Sequence, residues 1–152
     1  MSKENLVGLS HVVSWVLPVV VGLFAKNEIL LSRVVAKPLG MAVFLLGMLV
    51  FTWGVAYLKK AFLGYVEPKV DTLVTSEPYR FVRHPVYLGM AISAIGVAIG
   101  LRSVWAVLAV LLLLVPTGIY RARLEERALA RKFGVEWDNY SRRTYFMFPP
   151  VY

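Results

Sequence analysis

Two stretches of this 152-residue chain hold residues suited to polar chemistry. The first is Pro78-Tyr79-Arg80-Phe81-Val82-Arg83-His84-Pro85-Val86-Tyr87-Leu88-Gly89. The second, about forty positions after His84, is the adjacent pair Glu125-Glu126. A carboxylate can hold a cationic group, an arginine beside a histidine can hold an anionic one, and a tyrosine ring can contact a flat one. Pro85 biases His84 away from the α region, which predicts an extended loop there. Side chains at successive helical positions point about 100° apart, so one glutamate can face inward while the other is solvated. Glu125 and Glu126 could equally form a solvated face paired with Arg121 or Lys132. Arg80 and Arg83 could equally be charges that anchor the chain at a membrane surface, with His84 a hydrogen-bonded loop residue.

The elements that must position these groups are apolar helices. Hydrophobic residues make up 59% of the chain, and its mean hydropathy is +0.66, too apolar for an ordinary soluble domain. A helix that crosses a bilayer needs about 20 mostly apolar residues. Residues 6–24, 39–58, 87–101 and 103–120 are the four segments that approach or reach this length, the third short and turned into the fourth at Arg102-Ser103. The expected fold is therefore all-α and polytopic, with about four membrane helices, a polar loop at 59–86 and a C-terminal helical cap. Pro116 should kink the fourth helix, which should continue through Arg121–Phe133 and stop at Gly134. Asp71–Ser76 reads as a short extended piece. The aromatic segment beyond Gly134, with Tyr140, Tyr145, Pro149 and Pro150, reads as irregular chain folded back on the membrane surface. Leu6–Phe24 lacks the basic start and small-residue cleavage site of a signal peptide.

Charge orients these helices. Lysines and arginines number 17. Lys3, five residues of the 59–86 loop (Lys59, Lys60, Lys69, Arg80, Arg83) and seven after the fourth helix would share one face. Lys26, Arg33, Lys37 and Arg102 would lie on the other. The positive-inside rule then puts both termini, the polar loop and the tail in the cytoplasm. The net charge of +8 fits this asymmetry and attraction to anionic membrane lipids, and it calls for no nucleic acid. With no cysteine, disulfides and thiolate metal sites are excluded. His11 and His84 lie far apart in sequence and suggest no metal site. None of the four segments contains Asp or Glu, which disfavours a small exporter, since a transport path needs an ionisable residue inside a span.

A ligand carrying an amine, a carboxylate and an aromatic ring would satisfy the tyrosines, the Arg-His pair and the glutamates together. S-adenosylmethionine has those parts, and the residue types permit it without requiring it. The stretch Asp71-Thr-Leu-Val-Thr-Ser-Glu-Pro-Tyr-Arg-Phe-Val-Arg-His-Pro-Val-Tyr-Leu-Gly89 resembles the signature of the isoprenylcysteine carboxyl methyltransferase and phospholipid methyltransferase group. A later block, Glu125-Glu126, Leu129, Phe133-Gly134, Tyr140, Arg143 and Pro149, resembles that group's second signature.

The resemblance covers residues 71–150 and implies an integral membrane methyltransferase domain using S-adenosyl-L-methionine. Residues 71–89 and 121–150 would be its cofactor-binding elements. It implies that Tyr79, His84, Tyr87 and Gly89 line the cofactor pocket and that Glu125 or Glu126 holds the amino group. Arg83 and Arg143 would lie near the methyl-transfer site as catalytic residues. The acceptor would be lipophilic or prenylated and arrive sideways from the membrane lipids. A prenylcysteine carboxylate, a phospholipid amine, and a small lipophilic thiol or acid are the candidates. Asp71, Glu77 and Trp137 depart from the family pattern, where His, Gly and Tyr are frequent. A related class, the NADPH-dependent membrane sterol reductases, is the alternative, with Arg121, Arg123 and Arg127 available for a 2′-phosphate. Adjacent carboxylates suit an amino acid moiety and repel phosphate.

Overall fold

The computed structural model describes residues 3–24, 29–58 and 72–148, with side chains from Val13 onward in the first of these. The side chain of His11, residues 59–71 with Asp71, and residues 149–152 with Pro149 and Pro150 lie outside the described residues. Within them the elements are α1 (Lys3–Phe24), α2 (Arg33–Leu58), α3 (Pro85–Gly100), α4 (Val104–Ala109), a π turn (Val110–Leu114), α5 (Val115–Phe133) and α6 (Val135–Ser141). No β-strand occurs among the described residues, only a bridge between Val82 and Tyr145.

Two helical stretches are long and apolar enough to cross a membrane, Arg33–Leu58 and the continuous Val104–Phe133. Val13–Phe24 and Pro85–Gly100 are apolar but shorter. Large side chains such as Val34, Leu46, Leu49 and Leu112 point outward, opposite to the core helix of a soluble bundle.

The most extensive helix contact joins α2 to α3. It rests on glycines that let two backbones meet. A Cβ added at Gly89 would sit 2.5 Å from the Phe51 nitrogen, and one at Gly40 would sit 2.5 Å from the Gly100 nitrogen. Close approach through small residues is how helices associate where water drives nothing. α1 lies against α4, the π turn, α3 and α5.

The α3–α4 turn holds Arg102 at φ 57°, and Ser103 caps α4 by accepting from the Ala106 N–H at 3.2 Å. Pro116 acts where the sequence places it, but as a widened turn. It has no N–H, and its ring would clash with the carbonyl four residues back. The chain opens instead into a π turn, in which the Val115 N–H reaches the Val110 carbonyl. Thr117 Oγ1 donates to the Leu113 carbonyl at 2.7 Å and lies 2.9 Å from Ser14 Oγ of α1.

The C-terminal segment corrects the sequence reading. Gly134 does end α5, at φ 52°, but α6 begins directly after it. The chain expected to be irregular thus opens with a helical turn that buries Trp137. Residues 144–147 then lie along the loop before α3. The Arg83 N–H donates to the Tyr145 carbonyl at 2.8 Å, the Tyr145 N–H to Phe81 at 3.0 Å and the His84 N–H to Phe146 at 3.2 Å. Residues 72–76, part of the expected extended piece, form bends and irregular chain.

Candidate active site

The loop before α3, the first turn of α3, the middle of α5 and the chain after α6 meet at one end of the bundle. There the sequence brings together groups that are costly to bury alone. Arg83 is 7% exposed and His84 6%. Arg83 Nε donates to Glu126 Oε1 at 2.6 Å. Its Nη1 donates to the carbonyls of Ser141, at 2.8 Å, and Thr144. Glu126 Oε2 accepts from Arg123 Nη1 at 2.9 Å. The Arg123 guanidinium lies 4.0 Å from the centre of the Phe146 ring, within cation–π range. That ring meets His84 edge-on at 5.0 Å.

Glu125, the neighbour of Glu126, is held differently. Its Oε1 accepts from the Tyr87 hydroxyl at 2.5 Å and lies 3.4 Å from Arg121 Nε. Its Oε2 sits 4.0 Å from His84 Nδ1. The Glu125 side chain is 24% exposed, against 11% for Glu126. His84 Nε2, 3.4 Å from Glu126 Oε1, is a buried nitrogen without a hydrogen-bond partner.

These contacts set the protonation of the site. Burial pushes the Glu126 carboxyl up, but the nearby His84 ring and the Arg83 guanidinium outweigh it and hold the group at about 2, below its ordinary 4.5. Burial, with Tyr140 and Glu125 nearby, pushes the Tyr79 hydroxyl up. Burial does the same to Tyr140. Both phenols are therefore neutral donors at physiological pH. Tyr79 donates to the Gly54 carbonyl of α2 at 3.2 Å, and Tyr140 donates to the Tyr79 carbonyl at 2.8 Å.

Of the residues singled out in the sequence, Arg83, His84, Tyr87, Glu125 and Glu126 therefore share one cluster, with Tyr79 beside it. Gly89 lies one turn further along α3 and faces Phe51 and Gly47 of α2. Its visible task is to let the two helices touch. Arg143 is exposed, and among the described residues no ion pair links it to the cluster. Glu77, where the family pattern departs, is on the surface with a loose 3.8 Å pairing to Arg80. Phe146 and the carbonyls of Ser141 and Thr144 carry no signal in the sequence. Arg121 and Arg123 do, through their four- and three-residue spacing to the glutamates.

Beside Tyr87 a shallow, open groove lies between α3 and α5. Its walls are Tyr87, Met90, Ala91, Leu114, Val115, Gly118 and Met147, almost wholly apolar. Among the described residues no three His, Cys, Asp or Glu side chains gather as metal ligands would.

Known proteins resemble this chain in both sequence and fold. The nickel-cobalt-cadmium resistance protein NccN of Alcaligenes xylosoxydans xylosoxydans is 36% identical over 88 residues, covering 56% of this chain and 40% of that protein. The cobalt-zinc-cadmium resistance protein CzcN of Cupriavidus metallidurans is 40% identical over 83 residues, covering 53% and 37%. The match thus spans about two fifths of the length of these curated relatives. Among solved structures, the eukaryotic intramembrane Ras methyltransferase, isoprenylcysteine carboxyl methyltransferase, shares the fold with a TM-score of 0.71. It is 22% identical, and the likeness covers 99% of this chain and 55% of that one. The sequence model of the phospholipid methyltransferase family matches residues 35–136. That range contains nearly all of α2, then α3, α4, the π turn, α5, the Arg83-His84 loop and both glutamates, and on this match the chain belongs to the phospholipid methyltransferase family.

Proposed function

We propose that this chain is a multi-pass membrane enzyme that transfers a methyl group from S-adenosylmethionine to a membrane-embedded or amphiphilic acceptor. Its termini and site would lie on the cytoplasmic face. The observation that carries this reading is the inequality of the two glutamates. Glu126 is saturated by Arg83 and Arg123. Glu125 is anchored through one oxygen, with its other oxygen 4.0 Å from His84 Nδ1 and its side chain partly open. A fixed, ionised carboxylate with an unspent oxygen fits an ammonium group. The unpartnered His84 Nε2 adds a polar atom available to the same ligand.

S-adenosylmethionine supplies an electrophilic methyl group on a sulfonium, displaced in line by the acceptor. The protein's part is alignment and exclusion of water, and positioning alone is worth roughly 7–11 kcal/mol. In this reading Glu125 binds the amino group, with Tyr87 and Arg121 holding its carboxylate in place. Arg83 is a positioning residue: it fixes Glu126 and ties the 141–147 segment over the site. Tyr79 keeps the loop against α2 and presents its ring. Gly89 serves the pocket indirectly, by setting the α2–α3 distance. Arg143, next to the Thr144 carbonyl that Arg83 holds, is a solvent-side cation for an incoming anion. A carboxylate acceptor needs no base, whereas a protonated amine or a thiol must lose a proton, and His84 is the base available to take it. The paired carboxylates and the family match both weigh against NADPH.

Titration calorimetry on the detergent-purified full chain tests this. S-adenosylmethionine and S-adenosylhomocysteine should bind and NADPH should not. Glu125→Ala should weaken binding by roughly tenfold or more, the effect of losing a charge-assisted hydrogen bond. Binding of NADPH alone, or unchanged affinity in Glu125→Ala, would overturn the reading.

A further inference from the structure

Past the site, α5 runs on into a stripe of arginines. Along the continuous helix Val104–Phe133, the stretch from Val104 to Arg123 spans about 30 Å, the thickness of a hydrocarbon layer. Arg121, within that length, is buried and lies beside Glu125. Arg123, Arg127 and Arg131 then recur at every fourth position and fall on one face, within an arc of about 80°. All three are exposed. Arg123 is committed to Glu126 and to the Phe146 ring. Arg127 and Arg131 lie about 6 and 12 Å further along the axis, and among the described residues no ion pair reaches either. The two carboxylates of α5 are turned elsewhere, Glu125 to Arg121 and Glu126 to Arg83 and Arg123. Like charges four residues apart on a helix repel, so this face lacks the anion that would settle it.

We infer that Arg127 and Arg131 form a docking site for the phosphate of an anionic phospholipid in the leaflet at this end of the bundle. The polar headgroup layer outside the hydrocarbon is about 5–8 Å deep, so Arg127 stands at phosphate depth. Helical side chains lean toward the helix N-terminus. Because α5 runs outward from the membrane, both guanidiniums lean back toward the lipid. A phosphate matches the planar fork of arginine, and one phosphate between the two guanidiniums relieves their repulsion. A zwitterionic lipid carries the same phosphate but offsets it with its own ammonium, so the face selects lipids of net negative charge. Tyr120, on the same face and 60% exposed, supplies the aromatic ring that suits the boundary between hydrocarbon and headgroups. Arg123 joins this face to the site: its side chain is 47% exposed while it holds Glu126 at 2.9 Å. A lipid fixed at Arg127 therefore sets the depth of the turn that carries both glutamates. The inference needs α5 to cross a bilayer and is independent of the methyl donor.

Native mass spectrometry of the detergent-purified full chain tests the inference, with dioleoyl phosphatidylglycerol and dioleoyl phosphatidylcholine as probes of equal chain length. The wild type should hold the anionic lipid roughly tenfold more tightly than the zwitterionic one, the scale set by two cations at a membrane surface. Arg127→Gln/Arg131→Gln should abolish that preference, and glutamine is as good a helix former as arginine. Arg80→Gln/Arg142→Gln removes two other exposed arginines and should leave the preference in place. Equal loss in the two double variants would mean attraction to overall charge and overturn the site, as would an unchanged preference in Arg127→Gln/Arg131→Gln. Raising ammonium acetate from roughly 0.05 to 0.5 M should shrink the wild-type preference, because exposed charges are screened. A preference indifferent to salt overturns the inference without any variant. Inorganic phosphate at millimolar concentration should not displace the lipid; displacement would make a soluble phosphate the ligand and refute the lipid. Calorimetry with S-adenosylmethionine on the same samples separates the two readings. Donor binding without lipid preference refutes the lipid site alone, and lipid preference without donor binding refutes the methyl donor alone.

Discussion

Each end of the α3 helix carries an arginine that reaches across to the backbone of a distant segment. At one end Arg102 Nε donates to the Leu31 carbonyl at 2.7 Å, and the Ile29 N–H returns a bond to the Arg102 carbonyl at 2.7 Å. At the other end Arg83 donates to the carbonyls of Ser141 and Thr144. In both places a planar cation with several donors gathers carbonyls that a loop leaves unsatisfied. The difference lies in what surrounds them. The Arg83 end adds two glutamates, a buried histidine and two further arginines, with one carboxylate oxygen left over. At the Arg102 end the described side-chain bonds run to the Leu31 and Ile29 carbonyls. An arginine tying down carbonyls is therefore no sign of function by itself. What sets the Arg83 end apart is a carboxylate fixed by its neighbours with one oxygen to spare, Glu125.

The largest effect should come from cutting the Arg83 end. Arg83→Ala leaves Glu126 buried with its strongest partner gone and releases the 141–147 segment. Breaking one side of a buried ion pair typically costs about 3–5 kcal/mol. Thermal unfolding in detergent should show a drop of that order, together with weaker S-adenosylmethionine binding. Near-native stability with slowed methyl transfer would instead make Arg83 a catalytic residue and erase the likeness to Arg102.

The same end should carry a pH dependence that the other lacks. Glu126 is held at about 2 when folded, against 4.5 ordinarily. A depressed carboxyl stabilises the fold above its unfolded value, and that contribution is lost as protons bind. The loss should therefore run from about pH 4.5 downward to about 2. Melting temperatures across this window should fall more steeply for the wild type than for Glu126→Gln, which cannot titrate. Parallel curves would show that Glu126 is not the group coupling the site to the fold.

How far the sequence could see into these two ends differs as well. The apolar segments, the stop at Gly134 and the turn at Arg102-Ser103 were all legible, because hydropathy and helix punctuation are local signals. So was the meeting of the Arg-His loop with the glutamates, through a family resemblance. Which of Glu125 and Glu126 pairs with Arg83 was not. It depends on which face of α5 turns toward Arg83, a tertiary fact. Nor was the helix seam at Gly89 legible: its partner across the seam, Gly47, sits some forty residues away. Helix α6 was missed because seven residues are too few for a period, and the aromatic content read as surface chain. Pro116 announced a disturbance but not its form, since kink and π turn relieve the same clash.

The smallest effect, and the most direct test of the contrast, is at Arg102. Arg102→Ala removes the bond to Leu31 and the longer 3.5 Å contact to Ile29, worth about 1–2 kcal/mol together. The backbone stays at φ 57°, where alanine is as strained as arginine. Arg102→Gly loses the same side chain but relieves that strain, of about 1 kcal/mol. Glycine should therefore recover part of the stability that alanine loses, an inversion of the usual order for a helical region. Neither variant should change S-adenosylmethionine affinity, since α3 separates this turn from the glutamates along its whole length. If calorimetry found donor binding weakened in both while the melting temperature stayed put, the two ends would not be independent, and the partition into a fastening end and a chemical end would fail.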